Sequence, residues 1–235
     1  MSRNVFDDMM KDYKVKKTET AQIRLGETEI GTVVSMGPRQ MGHTLISGMS
    51  RSGKSTMVKF MLEDMVKIAE VAIWSPKAQD YAKFAKGAYV NSDVDAFRGV
   101  LRRTVGELEK RNRASWKASM KKGDTVEDNS VPMYIVIDEF ATFIKQCGEG
   151  AKIALERLIA EGAGMNIFLV LISQTAHKKI YDNGIKDSMM TTIAFKAQND
   201  YASRLAIGSK AAMFLDLHEC IVKNVDKEYN LTKFA

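Results

Sequence analysis

Cysteine is nearly absent: Cys147 and Cys220 are the only two in 235 residues. Two thiols cannot build a disulfide framework and their spacing matches no metal-ligand pattern, so a reducing, cytoplasmic compartment is expected. Also missing is any apolar run approaching the roughly 18 residues of a membrane span. Met1 to Asp12 carries acids where a secretory leader would need a basic and then an apolar region, so no direct membrane insertion is expected. No internal repeat is visible. At this length and 45% hydrophobic residues, the chain can bury one sizeable core, in one domain or at most two.

Against these absences stands one dense local signal. Gly48-Met49-Ser50-Arg51-Ser52-Gly53-Lys54-Ser55 matches GxxxxGK[ST], a loop whose glycines let backbone N–H groups turn inward around phosphate oxygens. Lys54 can reach the β- and γ-phosphates and the Ser55 hydroxyl can ligate Mg²⁺. The nucleotide-binding candidates are therefore Gly48, Met49, Ser50, Arg51, Ser52, Gly53, Lys54, Ser55 and the adjoining Thr56, with ATP and Mg²⁺ as expected ligands. Context agrees. His43 to Ser47 is a short β-rich apolar run, and Val58, Met61, Leu62, Met65, Val66 and Ala69 follow at helical spacing. A strand, a loop and a helix in that order aim the helix N-terminus at the bound phosphate.

A second signal lies 80 residues on. Met133 to Ile137 is a continuous apolar, β-branched run that ends in Asp138-Glu139, the form of a buried parallel strand with carboxylates at its C-terminal end. Ligands bind at that edge of open α/β sheets. Asp138 is the candidate for the Mg²⁺ shell together with Ser55. Glu139 is the candidate base that deprotonates a water attacking the γ-phosphate. A third apolar run, Ile167 to Ile172, ends in Ser173-Gln174, and Gln174 is placed to sense the γ-phosphate or the attacking water. Strands alternating with helical stretches predict a single α/β sheet.

Charge is less decisive. The net charge of +6 fits a polyanionic partner without demanding one. Nine basic residues between Arg98 and Lys122 face only Glu107 and Glu109, on a stretch that reads as a helix able to touch a phosphate backbone or an acidic neighbouring subunit, or simply as a solvated face. Lys178-Lys179 is a further candidate contact. Lys121 to Val131 is polar and turn-rich, and residues up to about 19 are charged, a docking helix with a connector.

Taken together, the motifs resemble those of the FtsK/SpoIIIE–HerA group of P-loop ATPases. Leu25-Gly26, His43-Thr44-Leu45-Ile46, Ser75-Pro76-Lys77, Asp138-Glu139-Phe140-Ala141 and Ser173-Gln174 stand in the group's order, as do Leu108 to Arg111, Thr192 to Phe195 and Ser203-Arg204. The resemblance implies a RecA-like P-loop NTPase over residues 21–235, with a mostly parallel central sheet flanked by helices and a small N-terminal β segment, preceded by an extension over 1–20. It further implies a ring, with a hexamer as first expectation, ATP between subunits and duplex DNA in the channel. Two departures stand out. Glu161-Gly162-Ala163-Gly164 lacks an arginine that several members carry before the Gln-bearing strand, which leaves Arg157 and Arg204 as candidate trans-acting cations. Ser75 replaces the group's aspartate.

The expected activity is hydrolysis of ATP coupled to movement of double-stranded DNA. It would serve viral genome packaging or plasmid and mobile-element transfer, by a bare motor that docks on a portal, capsid vertex or membrane pore protein. The alternatives are a secretion ATPase acting on proteins, which in this group usually carries tandem motors and an anchor, and a nucleotide-gated scaffold, against which the positioned base Glu139 argues.

Overall fold

The computed structural model describes residues 21–174, 185–225 and 227–234. The extension expected over 1–20 and the Lys178-Lys179 pair lie outside the described residues. In chain order the elements are β1 (Ile23–Glu27), β2 (Val33–Met36), a single turn α1 (Pro38–Met41), β3 (Thr44–Ser47), α2 (Lys54–Ile68), β4 (Glu70–Trp74), β5 (Tyr89–Asn91) and α3 (Val94–Lys122). There follow β6 (Met133–Ile137), α4 (Phe140–Gln146), α5 (Glu149–Glu161), β7 (Ile167–Ser173), β8 (Thr191–Phe195), α6 (Asp200–Ile207), β9 (Cys220–Asn224) and β10 (Lys227–Leu231).

Eight of these strands form one sheet in the order β10-β9-β8-β3-β7-β6-β4-β5. Pairing is parallel from β5 across to β8, and β9 and β10 add antiparallel at the far edge. The last two strands form a hairpin that extends the sheet, with Cys220, Val222 and Leu231 buried beneath it.

Period-2 alternation splits the parallel strands between two cores. Ile46, Ile73, Val136, Val170, Ile172 and Ile193 point to the face covered by α2 and the β1–β2 ribbon. Leu45, Trp74, Ile135, Ile137, Leu169 and Leu171 point to the face covered by α3, α4 and α5. Each such aliphatic side chain contributes about 1.5–3 kcal/mol when fully buried, which is why both faces need helices and the runs read as uninterrupted apolar sequence. The ribbon is fastened to α2 by Arg24, whose Nε and Nη2 donate to the Asp64 carboxylate at 2.7 and 3.0 Å.

The basic helix is longer than its apolar pattern. Asp93 caps α3 through Asp95 N at 2.8 Å and Gly123 ends it in the left-handed region, giving 29 residues. Only its first part is seated, by Phe97, Val100, Leu101, Thr104, Leu108 and Arg111, and no side chain beyond Arg111 is buried. No helix among the described residues is long and apolar enough to cross a membrane.

Candidate functional site

Parallel strands end together, and that registry assembles the site. Ser47 of β3 lies level with Ser173 of β7, and Ile137 of β6 pairs with Leu171 of β7 and with Trp74 of β4. The next residues therefore emerge at one edge: Gly48 from β3, Gln174 from β7, Asp138-Glu139 from β6 and Ser75 from β4. Asp138 N–H still bonds to Trp74 O at 2.9 Å, so the aspartate starts from a fixed backbone.

Residues 48–53 form the loop that leads into α2. Gly48 has φ +151°, and a β-carbon there would sit 2.5 Å from Phe195 Cβ, so only glycine fits. Arg51 takes φ +63° within the loop. Lys54 folds back over it, its Nζ donating to Gly48 O at 2.7 Å and Met49 O at 2.8 Å. Burial lowers the Lys54 pKa and the Glu139 and Asp138 carboxylates oppose that shift, in that order. Ser55 and Thr56 open the helix beside it and share a cavity of about 320 Å³ with Arg51, Gly53 and Lys54. Of the loop residues anticipated from sequence, Arg51, Gly53, Lys54, Ser55 and Thr56 line this space, whereas Gly48 and Met49 line a separate cavity with Gln174 and Phe195.

Asp138 is oriented by neighbours that sequence reasoning did not assign. Ser75 Oγ donates to Asp138 Oδ2 at 2.9 Å and Tyr81 OH donates to the same oxygen at 3.1 Å. Tyr81 comes from the 3-10 segment Ala78–Phe84 and is 1% exposed; burial, with Asp138 close by, raises its pKa and keeps the phenol protonated as a donor. The serine that departs from the group's aspartate is therefore a hydrogen-bond donor to Asp138, where an aspartate would set a second carboxylate.

Glu139 begins α4 with φ +61° and ψ +53°, a left-handed conformation that costs a non-glycine residue about 1–3 kcal/mol and recurs at functional sites. Gln174 Nε2 donates to Glu139 Oε1, so the candidate base and the candidate sensor meet. The two candidate trans cations are not brought to this edge. Arg157 pairs with Glu109 of α3 at 2.6 Å and with Glu161 at 3.3 Å. Arg204 pairs with Asp200 one turn back along α6 at 2.9 Å. The anticipated basic stretch is partly internal wiring, since Arg98 bonds to Gln146 O and Cys147 O and Arg111 to Met165 O and Val131 O.

The donor set fits a hard divalent cation. Among the described residues no three His, Cys, Asp or Glu side chains cluster to hold a metal, and Ser55 with Asp138 offers two oxygen ligands of the kind Mg²⁺ shares with phosphate oxygens and water. With both donors on Oδ2, Asp138 keeps Oδ1 for the cation.

Strand order, loop and acidic edge define a RecA-like P-loop fold, with the Gln-bearing strand inserted between the loop strand and the acidic strand. Known proteins narrow the class. No family model matches the chain. DNA translocase FtsK of Helicobacter pylori J99 is 21% identical over 220 residues, covering 85% of this chain and 26% of that protein. The chain thus spans about a quarter of the length of such curated relatives. The pCW3 conjugation coupling protein TcpA, solved with ATPγS, superposes with a TM-score of 0.78 at 17% identity over 95% of this chain and 68% of that one. The type VII secretion ATPase EccC of Thermomonospora curvata gives 0.72 at 15% identity, over 92% of this chain and 29% of that one. The packaging NTPase B204 of Sulfolobus turreted icosahedral virus 2, bound to ATPγS, gives 0.51 at 19% identity over 85% of this chain and all of that one. These likenesses bear out the resemblance to the FtsK/SpoIIIE–HerA group read from the motifs.

Proposed function

We propose that the chain hydrolyses ATP, with Mg²⁺, to drive double-stranded DNA through a homo-oligomeric ring. The observation that carries hydrolysis is the meeting of Glu139 and Gln174 at the strand edge next to the phosphate loop. A binding switch has no need of a carboxylate held there. Glu139 takes a proton from water as its oxygen bonds to the γ-phosphorus, and the bond from that phosphorus to the β–γ bridging oxygen breaks, leaving ADP and phosphate. Gln174 orients the Glu139 carboxylate. Lys54 and the N–H groups at the start of α2 hold the phosphates. Ser55 and Asp138 would hold Mg²⁺, which when bound neutralises charge on the phosphate oxygens.

DNA as cargo is supported by relatives named DNA translocases and by the +6 net charge. Packaging of a viral genome and transfer of a mobile element both fit this reading, each with a docking partner such as a portal, a capsid vertex or a membrane pore protein, and with the motor in the cytoplasm. Of the two trans-cation candidates, Arg204 is the better placed. Among the described residues its side chain pairs only with a surface i,i+4 aspartate, a pair worth about 0.3–0.5 kcal/mol, whereas Arg157 braces α3 against α5. A protein cargo is the second reading, favoured by the likeness to EccC.

The test is ATP turnover with and without duplex DNA at low and moderate salt. DNA should stimulate turnover, and the stimulation should fall steeply as salt rises because phosphate contacts release counterions. Turnover indifferent to DNA would sink the DNA reading. Glu139→Gln should still bind ATP and lose turnover by about 100-fold or more, whereas Lys54→Ala should weaken binding itself. Normal turnover in Glu139→Gln removes the base assignment.

A further inference from the structure

The cavity at the start of α2 has one wall that the phosphate-loop motif does not supply. His218 lines it opposite Arg51, Lys54 and Thr56, from the loop that enters β9 some 160 residues downstream in the sequence. Its backbone N–H donates to Ser52 O at 3.0 Å, and a β-carbon built on Gly53 would stand 3.0 Å from His218 Nδ1. The ring thus sits against the mouth of the phosphate loop. The placement is built in: His218 has φ +68°, unusual for a residue with a β-carbon, and the turn around it is closed by Asp216 N–H on Glu219 Oε2 at 2.9 Å. One residue past the turn, buried Cys220 lies 3.8 Å from Met57 Sδ and seats the start of β9 against α2.

Strand order says which part of the nucleotide meets this wall. Asp138, Glu139 and Gln174 all stand on the β7 and β6 side of the loop strand β3, so the γ-phosphate must face that way to be attacked. The nucleoside then runs the other way, across β3 toward β8 and β9. We propose that His218 is the nucleoside-contacting wall of the site, its imidazole stacking on a purine base while the loop and Lys54 hold the phosphates. The inference rests on the ATP-binding reading above.

A probe without a nucleoside separates the two. Binding of ATP, CTP and inorganic tripolyphosphate should be measured on the full chain as wild type, His218→Asn and Lys54→Ala. Asparagine tolerates the left-handed backbone, so the turn persists, and an unchanged melting temperature verifies it. His218→Asn should weaken ATP binding about tenfold and shrink the preference for ATP over CTP, while tripolyphosphate binding stays within about twofold. Equal losses for ATP and tripolyphosphate would mean that His218 acts only through the phosphate loop, and no loss for either would mean that it touches nothing; both results overturn the proposal. If Lys54→Ala binds ATP and tripolyphosphate like the wild type, the phosphate-site reading itself fails, whatever His218 does.

Discussion

Asp138 receives two hydrogen bonds on one oxygen, and a single hydroxyl deletion should reveal what that asymmetry is for. Tyr81→Phe removes the donor at 3.1 Å and keeps the ring in the core. Loss of such an orienting partner should weaken divalent-cation affinity about tenfold, read as Mn²⁺ binding in the presence of a non-hydrolysable ATP analogue, with metal-free ATP binding unchanged. Equal Mn²⁺ affinity in both proteins would show that Tyr81 does no positioning. His43 carries a different consequence. It is 1% exposed below the loop strand, and its Nδ1 accepts Leu169 N–H at 3.0 Å, so the neutral ring is the one the fold uses. Burial pushes its pKa down to about 4, against partial opposition from the Ile159 and Leu158 carbonyls. The unfolded chain, with histidine near 6.5, binds more protons between those values, so this contribution is intact above pH 6.5 and is lost as pH falls toward 4, by ~3 kcal/mol in total. His43→Asn keeps an acceptor for Leu169 and cannot titrate. Its denaturation midpoint relative to the wild type should therefore improve steadily from pH 7 to pH 4.5, and parallel curves would refute the assignment. Neither His218 nor Tyr81 was legible in the sequence, because each reaches the site from a segment whose own pattern shows only a turn or a mixed polar stretch.

Elements were legible where burial is total. β6 and β7 announce themselves because both faces of each strand are covered, which forces uninterrupted apolar sequence, and α2 because one stripe of it meets the sheet. The failures have the converse cause. β9 offers only the three apolar residues Cys220 to Val222 before Lys223-Asn224, β10 at the sheet edge is mostly exposed and polar, and the end of α3 has no buried stripe at all. That helix is rooted by Arg111, 6% exposed, which donates to Met165 O at 2.9 Å and Val131 O at 3.0 Å and pairs with Glu107 at 3.0 Å. Past this root, Trp116 and Met120 are 63% and 61% exposed. The two halves should respond differently to mutation. Arg111→Met leaves Glu107 with Lys110 alone and strips a donor from the Met165 and Val131 carbonyls, and should destabilise by about 1–3 kcal/mol, whereas Lys117→Ala should stay within about 0.5 kcal/mol. Denaturant midpoints measured for both variants decide it, and a mild Arg111→Met would mean that the helix is held by its apolar stripe alone.

At the scale of the whole molecule, one chain supplies the loop and the residues proposed as base, sensor and metal carboxylate, yet Arg157 and Arg204 both stay with intrachain partners. If the proposed ring exists, each site combines the phosphate loop of one subunit with the cation of the next, a heterologous contact that closes on itself. Two inactive variants should then rescue each other. Lys54→Ala destroys the loop half and leaves Arg204, and Arg204→Ala destroys the trans half and leaves the loop. In a one-to-one mixture with random assembly, a working site needs an Arg204→Ala subunit followed by a Lys54→Ala subunit, so about one quarter of wild-type turnover should return if sites fire independently. The mixture must be allowed to exchange subunits before assay, and each variant alone supplies the baseline. Activity that never exceeds the average of the two separate variants would mean that the cation is not Arg204 or that no site is shared. Repeating the mixture with Arg157→Ala separates those two explanations, because only the true trans residue can complement a dead loop.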